Sequence, residues 1–410
     1  MHGGSRERSA REEQMNKTAV FDSLAEQKPD PLLELIAKFA ADPRSGKVDL
    51  GVGVYRDETG RTPVMRAVKA AEHHLWETQE SKSYIGPEGD PAFLRALATE
   101  VFEERHGGRL LAGIQTPGGT GALRLAAELL ALDKQRKIWI GTPTWVNHRA
   151  IFAAVGLEVK TYRFFDIAKQ TVLVDEMLTT LQNAAPGDAV LLQTSCHNPT
   201  GAGLSSQNWR DIAAVIAAKG LFPLFDNAYQ GLGRSPVEDA AGMMSVIEAV
   251  GEAMVAVSCS KSFSLYRERT GAAYLFGDRQ APLNKGVGNL ASHARTSYSM
   301  PPAHGAAIVA AILQDPSRRQ AWVDELREMR VRIAEIRHAA AEAFAQFRPE
   351  LAHIGSQEGM FSLLPISPEN VQSLRSEHGI YMPDSGRINV AGMRVADVVS
   401  VADRVGPYLT

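Results

Sequence analysis

Two kinds of hydrophobic pattern alternate between Thr116 and Gly277. Short, nearly continuous apolar runs come first: KIWIG (137–141), AVLLQTS (189–195), FPLFDNA (222–228), MVAVSCS (254–260) and AAYLF (272–276). Runs of this length predict strands buried on both faces. Between them lie stretches with apolar residues at helical spacing, such as GALRLAAELLALDK (121–134) and NWRDIAAVIAAKG (208–220). The second is closed by Gly220, a residue suited to the left-handed turn that ends a helix. Strand–helix alternation predicts an α/β fold, a mostly parallel sheet covered by helices. Ligands in such sheets sit beyond the carboxyl ends of the strands, so the chemistry is sought there.

After Pro316 the pattern changes. Trp322, Leu326, Met329, Ile333 and Ile336 form one apolar stripe at helical spacing. They predict a long amphipathic helix leading into a second domain. MFSLL (360–364) and RINVA (387–391) then read as short strands of a smaller α/β unit. A chain of 410 residues exceeds one ordinary core. The expected division is a large domain at 62–326 and a small one built from 16–61 and 327–410. Residues 1–15 are polar and charged, without the apolar centre of a signal peptide, and read as a disordered tail.

Charge excludes several classes of function. The 44 basic and 47 acidic residues are interspersed and leave a net charge of -3. No basic field exists to draw nucleic acid or anionic lipid. No apolar run approaches the ~20 residues of a membrane span. Cys196 and Cys259 are the only cysteines, which argues against a disulfide framework or a cysteine-rich metal site and suits a reducing cytoplasm. No metal site is expected.

Polar residues gather where the expected strands end. AVLLQTS runs into Cys196-His197-Asn198-Pro199-Thr200-Gly201, and FPLF into Asp226-Asn227-Ala228-Tyr229. MVAVSCS ends on Lys261, with Arg269 eight positions later. A buried Asp, Asn, Tyr and Lys at one rim are costly unless a ligand or one another satisfies them. Upstream, TPGGTGALR sets Gly118, Gly119, Thr120 and Gly121 at the start of a helix, where free N–H groups and the dipole favour an anion. Pyridoxal phosphate uses all these parts: a lysine for its aldehyde, a carboxylate for its ring nitrogen, donors for its phenolic oxygen and an anion site for its phosphate. Lys261 fits the first and Asp226 the second. Asn198 and Tyr229 fit the donors; Gly119, Thr120, Ser258 and Arg269 fit the phosphate.

The ordered motifs DLGVGVYRDETGRTPV, SYIGPEGDPAF, QTPGGTGALR, PTWVNH, CHNPTG, FDNAYQG, SCSKSFSLYRERTGA, TSYSMPPAHGA and SGRINVAGM span nearly the whole chain after the tail. Their set resembles the aspartate/aromatic aminotransferases, class I enzymes of fold-type I, the pyridoxal phosphate superfamily with a large and a small α/β domain. The resemblance implies that Lys261 is the Schiff-base lysine and general base, and that Trp145 stacks on the cofactor and contacts substrate. It makes Arg387 the clamp on the substrate α-carboxylate, with Asn198 beside it and Gly53 on a segment that closes over substrate. His148 would support Asp226. Tyr84 would reach the phosphate, and Arg295 the distal acid of a dicarboxylate, in a neighbouring subunit. A cytoplasmic homodimer with shared active sites follows.

Amino acids and 2-oxo acids are then the substrates, exchanged in ping-pong fashion. Met300 stands where aspartate-selective relatives usually carry asparagine, so a pocket for aromatic amino acids as well as aspartate is expected. The alternatives are a strictly aspartate-selective enzyme and, more remotely, a non-catalytic sensor on the same fold. Ser264 replaces a usual glycine, Arg267 a usual asparagine and Asn227 a usual apolar residue. Ser258-Cys259-Ser260-Lys261 also matches S-x-x-K of serine acylases, but the strand before it and the lack of S-D-N and K-T-G oppose that reading.

Overall fold

A computed structural model describes residues 21–26, 29–103 and 108–410. The tail expected at 1–15 lies outside the described residues. Seven strands form the central sheet. In chain order they are β1 Leu110–Pro117, β2 Lys137–Thr142, β3 Glu158–Arg163, β4 Ala189–Gln193, β5 Phe222–Asn227, β6 Glu252–Ser258 and β7 Thr270–Gly277. Their spatial order is β1-β7-β6-β5-β4-β2-β3. The five from β6 to β3 are parallel to their neighbours, whereas β7 runs antiparallel to both β6 and β1. An antiparallel step needs no crossover helix. The connection 259–269 can therefore stay at the sheet's edge, and it carries Lys261 and Arg269.

All five expected apolar runs are strands. Two more were not expected. β1, LLAGIQTP, is interrupted by Gly113 and Gln115, and β3, EVKTYR, is a mostly exposed edge strand. Neither shows the continuous apolar run that signals burial on both faces. The helix α1, Gly118–Leu130, begins at once after β1, three residues before the expected start. Gly118 makes this abrupt turn possible, with φ of +71°, a conformation that side-chain-bearing residues avoid. The helix α2, Ser206–Lys219, has a capping box between Ser205 and Asn208 and ends on Gly220 at φ +63°.

The long helix α3 spans Pro316–Ala345, started by the Asp315 side chain accepting from the Arg318 N–H. Its apolar stripe serves two cores in turn. Trp322, Leu326, Met329 and Ile333 join Phe225, Val255 and Phe263 on one face of the sheet. Ile336, Ala340 and Phe344 join Leu50, Ile354, Ile380, Ile388 and Val401 in a separate core. The division expected at 326/327 falls inside this helix. Phe361–Leu363 pairs antiparallel with Arg387–Asn389, and Val48–Asp49 pairs parallel with Ile380–Tyr381. These short pairings set residues 51–54 and Arg387 beside the ends of the large sheet's strands. Among the described residues, no helix is long and apolar enough to cross a membrane.

Candidate active site

A cavity of about 240 Å³ opens beyond the carboxyl ends of β4, β5 and β6. Gly53, Gly119, Thr120, Trp145, Asn198, Asp226, Tyr229, Ser258, Lys261 and Arg269 line it. Sequence reasoning missed four other lining residues: Leu123, Ala228, Ser260 and Tyr266.

One end of the cavity is built around Asp226. Alternation along β5 sends Asp226 and Asn227 to opposite faces. The Asp226 carboxylate lies 3.0 Å from His148 Nε2, and His148 Nδ1 lies 2.8 Å from the Thr144 hydroxyl. A histidine tautomer with its proton on Nε2 donates to this carboxylate and leaves Nδ1 to accept from Thr144. His148 is fully buried, which keeps this contact out of water. Asn227 turns away, accepting from Thr194 Oγ1 at 2.9 Å and donating to Gln230 at 2.6 Å. Its unusual side chain therefore leaves the bonds of Asp226 alone. Trp145 stands edge-on to His148, with ring centroids 5.2 Å apart.

The other end is an anion cradle. Gly119 and Thr120 occupy the first turn of α1, whose N–H groups lack helical acceptors. Ser258 ends β6 beneath them, and Arg269 arrives just before β7. The approach is close. A Cβ on Gly118 would lie 2.9 Å from Arg269 Nη2, and one on Gly119 would lie 3.0 Å from Ser258 Cβ. Arg269 donates to Ser260 Oγ (3.4 Å) and the Tyr266 carbonyl (3.2 Å). Among the described residues no carboxylate pairs with it.

Lys261 stands between these ends, half-buried, its Nζ 4.7 Å from the centre of the Tyr229 ring. Among the described residues its ammonium makes no hydrogen bond or ion pair. Burial lowers its pKa to about 8; Asp226 pulls upward, while Arg269 and Arg387 push further down. Burial also pushes the Tyr229 hydroxyl well above its ordinary value, so it stays a donor at neutral pH. Asn198 Nδ2 lies 3.3 Å from that hydroxyl. The Asn198 backbone is gripped by Gln193, whose side chain donates to its carbonyl and accepts from its N–H, both at 2.9 Å. Gln193 was not singled out from sequence. Its only signal is a polar residue closing an apolar run.

Arg387 adjoins Asn198, with Nη1 3.5 Å from Asn198 Oδ1. Its Nη2 donates to the Gly51 carbonyl at 2.6 Å, and the guanidinium lies 4.5 Å from the Phe361 ring centre. Its Nε is buried without a partner. Burial lowers its pKa, and the Tyr229 hydroxyl offsets part of that. Gly53 packs against the same phenyl ring: a Cβ there would lie 2.8 Å from Phe361 Cζ.

Three expected site residues are not among those lining the cavity: Arg387, which adjoins it through Asn198, and Tyr84 and Arg295, which lie elsewhere. Tyr84 is 92% exposed. Arg295 is exposed near the end of the helix Gln280–Ser297, bonded to the hydroxyl of Ser299. Neither lines the cavity. Met300 follows, half-buried, and Arg267 is exposed. Ser264 adopts φ of +51°, the left-handed conformation that explains glycine as the commoner residue there.

A family model described as "Aminotransferase class I and II" matches residues 45–405. The chain belongs to the class I and II aminotransferase family. It is a transaminase, and the resemblance read from the ordered motifs is borne out. It is 54% identical to a tyrosine aminotransferase of Rhizobium meliloti (strain 1021) over 94% of this chain and 99% of that one. It is 39% identical to an aspartate aminotransferase of Escherichia coli (strain K12), over 94% and 99%. Its fold is similar to the crystal structure of an aromatic-amino-acid aminotransferase from Burkholderia pseudomallei covalently bound to pyridoxal phosphate. That match has a TM-score of 0.91 at 38% identity and covers 96% of this chain and 100% of the other.

Proposed function

We propose that the chain binds pyridoxal 5'-phosphate in this cavity and moves amino groups from aromatic amino acids or aspartate to 2-oxoglutarate in a ping-pong cycle. The observation that carries this reading is Lys261: a desolvated, unpaired amine between a buried carboxylate and an anion cradle. The donor set fits the cofactor. Gly119, Thr120, Ser258 and Arg269 would take the phosphate, Asn198 and Tyr229 the phenolic oxygen, Asp226 the ring nitrogen and Trp145 a ring face. When bound, the cofactor supplies an aldehyde that links to amines and an electron-poor ring that stabilises negative charge at the amino acid's α-carbon.

The chain's own groups do the rest. Asp226, backed by His148 and Thr144, holds a proton on the ring nitrogen. Arg387 receives the α-carboxylate by two parallel N–H bonds, a geometry its planar fork favours. Lys261, once displaced, takes the α-proton on Nζ; a pKa near 8 leaves a usable fraction neutral at physiological pH. Gly53 allows residues 51–54 to close over the substrate. Tyr84 and Arg295 of each protomer would serve the other's cavity, making the enzyme a homodimer. Cytoplasmic location agrees with two buried free cysteines.

Dual specificity rests on the tyrosine and aspartate relatives and on the apolar Met300. It is tested by kcat/KM for tyrosine, phenylalanine and aspartate with 2-oxoglutarate. Comparable values are expected. Aromatic values lower by roughly a thousandfold, about 4 kcal/mol, would return the aspartate-selective reading.

A further inference from the structure

Arg337 is a cation in the wrong place by the pattern of its helix. It sits one turn after Ile333 and beside Ile336, within the buried stripe of α3, and only 2% of its surface is exposed. Burial lowers its pKa only to about 10, so it remains charged at neutral pH. Among the described residues no carboxylate pairs with it; the Glu358 carboxylate, whose charge favours the cation, turns to Arg234 at 2.5 Å. A buried charge without a counterion is strongly destabilising unless its donors are satisfied.

They are satisfied by one short segment. Nε donates to the Gly359 carbonyl (2.9 Å), and Nη1 to the Ile354 carbonyl (3.2 Å) and the Ser362 hydroxyl (3.0 Å). Nη2 donates to the carbonyls of Glu358 (2.9 Å), Gly359 (2.8 Å) and Phe361 (2.5 Å). One guanidinium therefore gathers residues 354–362 around itself. The gathered segment also meets the loop of Asn198: the Glu358 N–H donates to the Gly201 carbonyl at 2.7 Å.

The segment delivers Phe361 to the site. Its ring lies under the Arg387 guanidinium, edge-on to Tyr229 at 6.0 Å, and against Gly53. Its strand pairs directly with that of Arg387, with Leu363 opposite Arg387. We propose that Arg337 is a positioning residue for the substrate-carboxylate clamp: by holding 354–362 it sets Phe361 as the platform that aims Arg387. This rests on the reading of Arg387 as the α-carboxylate site.

The test uses the holoenzyme and two probes of one shape, 3-phenylpropionate and its neutral amide, titrated by calorimetry. The clamp predicts a wild-type preference for the acid. Arg337→Met and Phe361→Leu should each cut that preference by about tenfold while leaving amide affinity and cofactor absorbance unchanged. Arg337→Lys should recover part of it, since an ammonium offers three donors for five acceptors. A merely structural role would weaken acid and amide alike. That result, or full preference in both Arg337→Lys and Phe361→Leu, overturns the proposal even if Arg337→Met does not fold. Arg387→Leu is the separate control. It should abolish the preference, and a preference surviving there overturns the reading of Arg387 itself.

Discussion

The cavity beyond β4–β6 gathers most of the residues expected at the site, whereas Tyr84 and Arg295 stand outside it, exposed to solvent. In the cavity, Asp226, Asn198, Tyr229 and Ser258 are buried, Lys261 is half-buried beside them, and the exposed Arg269 is tied to Ser260 and Tyr266. Tyr84, by contrast, is 92% exposed, and Arg295 is exposed and bonded to its local neighbour Ser299. A desolvated group with an unmet need points to a ligand in its own chain. Under the reading proposed above, Tyr84 and Arg295, which touch nothing in their own cavity, would complete the site of another copy.

Lys261→Ala tests the first half of the contrast most severely. The variant should fold, because the lost side chain makes no hydrogen bond, and should fall in kcat by about a thousandfold or more, as when a covalent and proton-transferring group is removed. Retained circular dichroism with near-wild-type turnover would remove Lys261 from the chemistry.

The second half is broken or upheld by mixing two inactive proteins. If sites are shared, a hybrid of Lys261→Ala and Arg295→Ala protomers has one site missing both groups and one site intact. Random reassociation should then restore dicarboxylate turnover to about a quarter of wild type, since about half the dimers are hybrid with one good site each. Activity no greater than the sum of the two variants would make each cavity self-sufficient.

How far the sequence reveals this arrangement follows from what each residue does. Strands β4 to β7 are legible because burial on both faces leaves continuous apolar runs, whereas β1 is broken by Gly113 and β3 lies at an edge. Asp226 and Lys261 are legible because a charge ends a buried run. Gln193, Tyr266 and Arg337 are not, since they act through backbone groups of other segments, just past the strand end for Gln193 and far away in sequence for the other two. Gln193 grips Asn198, Tyr266 accepts from the Tyr55 N–H at 3.0 Å, and Arg337 gathers a segment some twenty residues on. Spacing alone does not encode such contacts. Tyr84 and Arg295 show no local pattern either, and only the resemblance to a family singled them out.

The smallest effect expected concerns stability, and it isolates the desolvation that distinguishes the cavity from the exposed Tyr84 and Arg295. In the cofactor-free chain Lys261 titrates near 8, against 10.5 for an ordinary lysine. Below pH 8 it is protonated in both folded and unfolded states, and its charge sits where burial opposes it. Between pH 8 and 10.5 the unfolded chain holds more protons than the folded one, so stability rises with pH through that window. Above 10.5 the amine is neutral in both states and the cost is gone. Lys261→Met removes the cost at every pH. Its urea midpoint, taken at unchanged slope, should therefore exceed that of the cofactor-free wild type most at pH 7, and the gap should narrow steadily towards pH 10.5. A gap that stays constant across the window would mean that the cavity does not desolvate Lys261, and its amine would then differ little from that of a lysine in open solvent.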